Sequence, residues 1–135
     1  MQLDFHEEGG KIVLSLENIG KENSEGWLTT TVCFDYKDFS ARFPIYLMLN
    51  DIYPFCEQLE VLNKDLKGEA NFTTIEGNID LKLLTDGLGH IEINGKIRHG
   101  SDYSLETSFI IPSDQTFLNA LLNQCKEILK NGKPA

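Results

Sequence analysis

Between Leu83 and Ile97 the chain runs LLTDGLGHIEINGKI, which places an acid, three glycines and a histidine close together. These are the residue types of a phosphate loop or a metal centre. A phosphate cradle needs its glycines between a strand and a helix, so that helical N–H groups face the anion, and a Walker loop also ends in Lys-Ser/Thr. Here TDGLG joins one alternating segment to another and the Lys-Ser/Thr ending is absent. The stretch is therefore expected to be a β-hairpin, with Asp86–Gly87 supplying the positive φ of the turn and Gly89 in the same turn. His90 then starts the outgoing strand on the face opposite Ile91, as a surface or hydrogen-bonding residue. Gly95, inside that strand, implies a bulge or close packing against a helix.

The other catalytic templates also fail. His6 and His99 share no metal-ligand spacing with His90, and neither H-E-x-x-H nor H-x-x-x-H occurs. There is no G-x-S-x-G elbow, no cysteine beside a histidine and no dinucleotide fingerprint. Acid pairs such as Glu7–Glu8 and Asp35/Asp38 do acid–base chemistry only inside a pocket; on strand ends and turns they are solvated. The expectation is a non-enzymatic protein with no catalytic residues, no metal and no cofactor.

Composition narrows the class of partner. The chain has 21 acids against 12 basic residues, a net charge of −9. Up to Lys67 it carries 12 acids and 6 bases, net −6; from Gly68 it carries 9 acids and 6 bases, net −3. Nucleic-acid binders show a basic footprint, because neutralising phosphates drives their affinity, so nucleic acid is an unfavoured partner; the acidic excess itself reads first as solubility and, more sharply, as a match for a basic protein partner. Hydrophobic residues at 41% and charged residues at 24% exclude disorder. Cys33, Cys56 and Cys125 are odd in number, widely spaced and free of any C-x-x-C, and two fall on apolar helix stripes. They are expected to be reduced structural thiols in a cytoplasmic protein. No basic leader and no apolar run of about 18 residues is present, so neither export nor membrane spanning is expected.

The elements that position these residues follow from periodicity. Alternation in KIVLSLEN puts Ile12, Leu14 and Leu16 on one face, and GWLTTTVCFDY puts Leu28, Thr30, Val32, Phe34 and Tyr36 on one side. After a Lys37–Asp38 turn, FSARFPIYLML alternates Phe39, Ala41, Phe43, Ile45 and Leu47, with Pro44 marking an edge or a bulge. Ile52, Phe55, Leu59, Leu62 and Leu66 then recur at helical spacing. Asn50 or Asp51 is the expected cap, Pro54 is expected in the first turn, and Gly68 is the stop.

The second half repeats the plan: a short strand through Ala70 and Phe72, strands with Ile79, Leu81, Leu83 and with Ile91, Ile93, Ile97 inward, and YSLETSFII alternating from Tyr103 to Ile111. After Pro112, Ser113 or Asp114 caps a helix with Phe117, Leu118, Leu121, Leu122, Cys125, Ile128 and Leu129 on one stripe, ended by Asn131–Gly132. The fold class is α+β: two successive units of about four antiparallel strands followed by one helix, with the helices packed on the sheets. One domain, 1–135, is expected, with pseudo-repeat halves 1–67 and 68–135.

Trp27–Leu28, the GEANF segment from Gly68, Glu76, LKLLTDGLGHIEINGKI and DQTFL occur in an order that resembles a bacterial family named for WapI, the immunity protein to a secreted, cell-wall-associated toxin that cleaves tRNA. The resemblance covers Trp27 to Leu122, and its sharpest elements are D-G-x-G-H, Asp86 to His90, and Asp114–Gln115–Thr116. It implies a cytoplasmic protein that binds and blocks a basic, nuclease-type toxin domain, with acidic groups mimicking phosphate. Asp35 and Asp38 around Tyr36 are candidates for the partner surface. Trp27 is a further candidate if it is exposed after the polar run GKENSEG; as the opening of an alternating strand it is a core residue instead. Two alternatives stand beside this. Two halves of four strands plus a helix also resemble the Whirly and PUR single-strand-binding folds, against which the net charge weighs. The third is an oligomeric structural module; a homodimer is compatible with it and with the immunity reading alike.

Overall fold

The computed structural model of the chain describes residues 1–100 and 102–134. Strands β1 (Leu3–His6), β2 (Ile12–Glu17), β3 (Leu28–Tyr36) and β4 (Phe39–Leu47) form one antiparallel sheet in sequence order, followed by helix α1 (Leu49–Asp65). Strands β5 (Glu69–Thr73), β6 (Ile79–Thr85), β7 (His90–His99) and β8 (Leu105–Asp114) form the second sheet in the same order. A 3-10 turn, Gln115–Phe117, leads into α2 (Leu118–Asn131). This is the α+β arrangement that the alternation dictates.

Each helix reaches the opening strand of the other sheet. Helix α1 follows the first sheet yet lies against β5, and α2 follows the second sheet yet lies against β1. Each covers an open strand edge with a glutamine. Asp4 N–H donates to Gln124 Oε1 at 2.8 Å, and Asn71 N–H donates to Gln58 Oε1 at 2.7 Å. Those are the edge amides of β1 and β5, which would otherwise invite another strand. The Phe55 ring of α1 sits 6.2 Å from Phe5 of β1 and 5.2 Å from Phe72 of β5, so one aromatic row ties both sheets to the helix layer. The other two edges, β4 and β8, each carry a proline, Pro44 and Pro112, which cannot donate to a ladder.

Several local expectations change. Helix α1 starts at Leu49, with Asp51 in the third position reaching back to accept Met48 N–H at 2.9 Å. Pro54 therefore stands in the second turn, where it frees the Asn50 carbonyl; both residues are exposed, so water can take the lost bond. Leu66 itself takes the left-handed cap at φ 52°, ahead of Gly68. A bulge between Phe5 and His6 makes Val13 the extra residue of β2, so Val13 is buried and Ile12 is 43% exposed. Pro112 lies inside β8, as an outer edge permits. Gly95 neither bulges nor meets a helix. A Cβ there would run into Leu81 Cδ2 and stand 3.2 Å from Phe109 Cε2, so the close packing is between strands. Phe39, Tyr103 and Leu105, expected inward, are exposed, because Phe39 and Leu105 open their strands and Tyr103 lies in the loop before β8, all beyond the helix-covered core.

Candidate partner-binding surface

The hairpin between β6 and β7 is built by Asp86. Its Oδ1 accepts Leu88 N–H at 2.7 Å and His90 N–H at 3.2 Å, while Oδ2 stands 2.8 Å from His90 Nδ1. These N–H groups, Leu88 first, hold the Asp86 carboxyl below its ordinary range, and the same carboxylate raises the His90 imidazole above its ordinary value. Gly87 and Gly89 take φ of 79° and 98°, as the turn requires. The Gly89 carbonyl accepts Gln115 N–H at 3.0 Å, which fastens the hairpin to the end of β8. There Asp114 accepts Thr116 N–H at 2.8 Å and caps the 3-10 turn. Asp86, Gly87, Gly89, His90 and Asp114 thus form one local construction, with Asp114 opposite His90 across the sheet.

The β3–β4 hairpin projects Asp35, Tyr36 and Asp38 at the other candidate position. Asp35 and Asp38 are exposed and Tyr36 is half-buried. Lys11 Nζ stands 3.9 Å from Asp35, and Lys37 Nζ lies 5.4 Å from the Tyr36 ring centroid. A cleft of about 440 Å³ opens between this hairpin and β8, lined by Tyr36, Lys37, Phe39, Phe109 and Ile110 among others. Trp27 lies at the opposite end of β3, roughly 30 Å away along an extended strand. It is half-buried, edge-on to Tyr46 at 6.1 Å, and its backbone N–H is held by Asn23 Oδ1 at 3.0 Å. The structure brings Asp35, Tyr36 and Asp38 together and leaves Trp27 apart.

On the outer face of the second sheet the bases are already engaged. Lys82 pairs with Glu69 at 3.7 Å, Lys96 with Glu106 at 3.9 Å and Arg98 with Glu106 at 2.8 Å. Cross-strand pairing of this kind leaves no stripe of free cations for a phosphate backbone among the described residues.

A family model described as the immunity protein WapI-like family matches residues 2–131. The chain belongs to that family. The match runs past both ends of the Trp27–Leu122 span and takes in β1 and β2. No curated protein matches the chain. Among solved structures it is similar to a chain of the Trypanosoma brucei MRP1/MRP2 crystal structures, at 7% identity and a TM-score of 0.45, over 96% of this chain and 84% of that one. No helix is long and apolar enough among the described residues to cross a membrane.

For this family member the exposed apolar residues near the candidate acids are additions to what the sequence suggests. Phe39 is 71% exposed, Ile110 61% and Leu88 82%. Ile110 had a readable signal, since it is apolar on the outward register of β8. Phe39 had none, because its register is that of a core residue and only its place at the strand end exposes it.

Proposed function

We propose that the chain is a non-enzymatic cytoplasmic immunity protein that binds a basic, nuclease-type toxin domain and covers its RNA-binding face. Family membership carries the reading. The net charge of −9 supports a basic partner, because opposite charge steers encounter and fixes orientation. Asp35, Tyr36 and Asp38 are proposed as part of the contact: two exposed carboxylates flank an aromatic ring beside an apolar cleft, an arrangement suited to an interface anchor.

The test is a rescue assay. The C-terminal domain of a toxin-like protein encoded beside this one is expressed in a sensitive host with and without this chain, and growth and tRNA integrity are followed. Protection is expected. Reversing Asp35 and Asp38 to lysine is expected to weaken binding by about tenfold or more and to reduce protection, mainly through slower association. Protection that survives the reversal keeps the immunity role and removes these two residues from the contact. Absence of both protection and co-purification overturns the reading for that toxin.

A further inference from the structure

On the outer face of the second sheet, at the end nearest the Asp86 hairpin, a groove of about 460 Å³ crosses from β6 to β8. Its floor is apolar: Leu84 of β6, with Ile110 and Pro112 of β8. Ile110 is 61% exposed. Asp86, Glu92 and His90 line the groove, His90 held against Asp86 at 2.8 Å, and no lysine or arginine lines it. Two further carboxylates belong to the same corner. Asp114 faces His90 across the sheet, and Glu8 sits on the β1–β2 turn, whose backbone N–H donates to the Pro112 carbonyl at 2.8 Å. Lys82, in the neighbouring row, is drawn toward β5 by Glu69. An apolar floor under a rim where carboxylates outnumber the single imidazole is what distinguishes a binding patch from a solvated sheet face.

We infer that this groove docks a basic surface of the toxin domain, an apolar side chain flanked by lysine or arginine seating on Leu84, Ile110 and Pro112 between Asp86 and Glu92. The inference rests on the immunity reading and extends its contact across β8, since Ile110 lines both this groove and the cleft beside Tyr36 and Phe39. Charge selects the occupant. A second copy of the chain meeting the groove about a two-fold axis would set carboxylate against carboxylate, whereas a cationic face relieves that repulsion.

The experiment measures binding of the purified, neighbour-encoded toxin domain to the full chain and to three variants at about 150 mM salt, where exposed pairs beyond about 8 Å are screened. Ile110→Lys and Glu92→Lys are each expected to weaken binding at least tenfold. Glu127→Lys, an exposed reversal on α2 with the same charge change as Glu92→Lys, is expected to stay within twofold. Unchanged thermal melts establish that each variant is folded. Groove variants that bind like the parent overturn the inference and leave the immunity role intact. Equal losses in Glu92→Lys and Glu127→Lys overturn it in favour of net charge alone. A parent chain that is dimeric in light scattering, and monomeric as Ile110→Lys, assigns the groove to a second copy and overturns it too. No binding by the parent chain overturns the immunity reading for that toxin, and the inference with it.

Discussion

His90 and Asp86 stabilise each other on an exposed hairpin, and the sign of each shift sets where they do so. The His90 imidazole is raised by the Asp86 carboxylate, so its contribution is complete below its ordinary value near 6.5 and is lost as pH rises through the raised one. Asp86 is depressed, by the Leu88 N–H first, so its contribution is present above its ordinary value near 3.8 and is lost as pH falls through the depressed one. The pair therefore holds the hairpin best between the two ordinary values. A titration followed by His90 ring resonances is expected to show a midpoint above 6.5, falling toward 6.5 in Asp86→Asn. An identical midpoint in that variant would show that the 2.8 Å contact does not govern the imidazole. Both groups are open to water, so the effect belongs to local order in the hairpin and little of it to global stability.

At the scale of elements, what the two helices do to the strand edges matters as much as their apolar stripes. Gln124 accepts the Asp4 amide and also donates, through Nε2, to Asp4 Oδ2 at 2.8 Å. Asp4 is only 8% exposed, so its carboxylate depends on these partners and on Gln2 Nε2 at 2.7 Å. Replacing Gln124 by methionine keeps the bulk and removes both bonds, leaving the amide and carboxylate under-satisfied. A loss of about 1–3 kcal/mol is expected in denaturant unfolding, together with faster hydrogen exchange at the Asp4 amide. Unchanged exchange there would mean the amide is protected by something other than α2. The cysteines play a smaller part: Cys125 is fully buried and its thiol is pushed up to about 12 by burial, which keeps it an unreactive packing residue.

For the whole molecule, the reach of each helix to the other sheet's edge has a direct consequence. Residues 1–67 contain the first sheet and α1, but α1 packs on β5 and the edge of β1 waits for α2. We therefore propose that the chain is one domain and that neither pseudo-repeat half stands alone. A fragment spanning 1–67 is expected to be unfolded or aggregated by circular dichroism and light scattering. The full chain is expected to unfold in a single transition seen alike by secondary-structure and by Trp27 fluorescence signals. A folded, monomeric fragment, or two separate transitions, would refute that.

Much of the fold was legible because a strand side chain alternates with period two and a helix side chain recurs near 3.6, so burial on one face writes itself into the order of residues. The core of β3, the stripe of α2, the hairpin at Asp86–Gly87 and the Asp114 cap all follow from such local rules. The same rules failed where burial is not one-sided or where an element ends. Val13 is buried by a bulge, Phe39 is exposed at a hairpin tip, and α1 starts at Leu49 with Asp51 as its reaching acid. The sequence by itself determined the element order, the cores of the strands and the acidic character of the chain, because each depends on composition or on neighbours a few residues away. Only the tertiary structure decided which strand edge each helix covers, that Trp27 stands apart from Asp35 and Asp38, and that Ile110 lines two clefts. Those are contacts between residues tens of positions apart, and no local period records them.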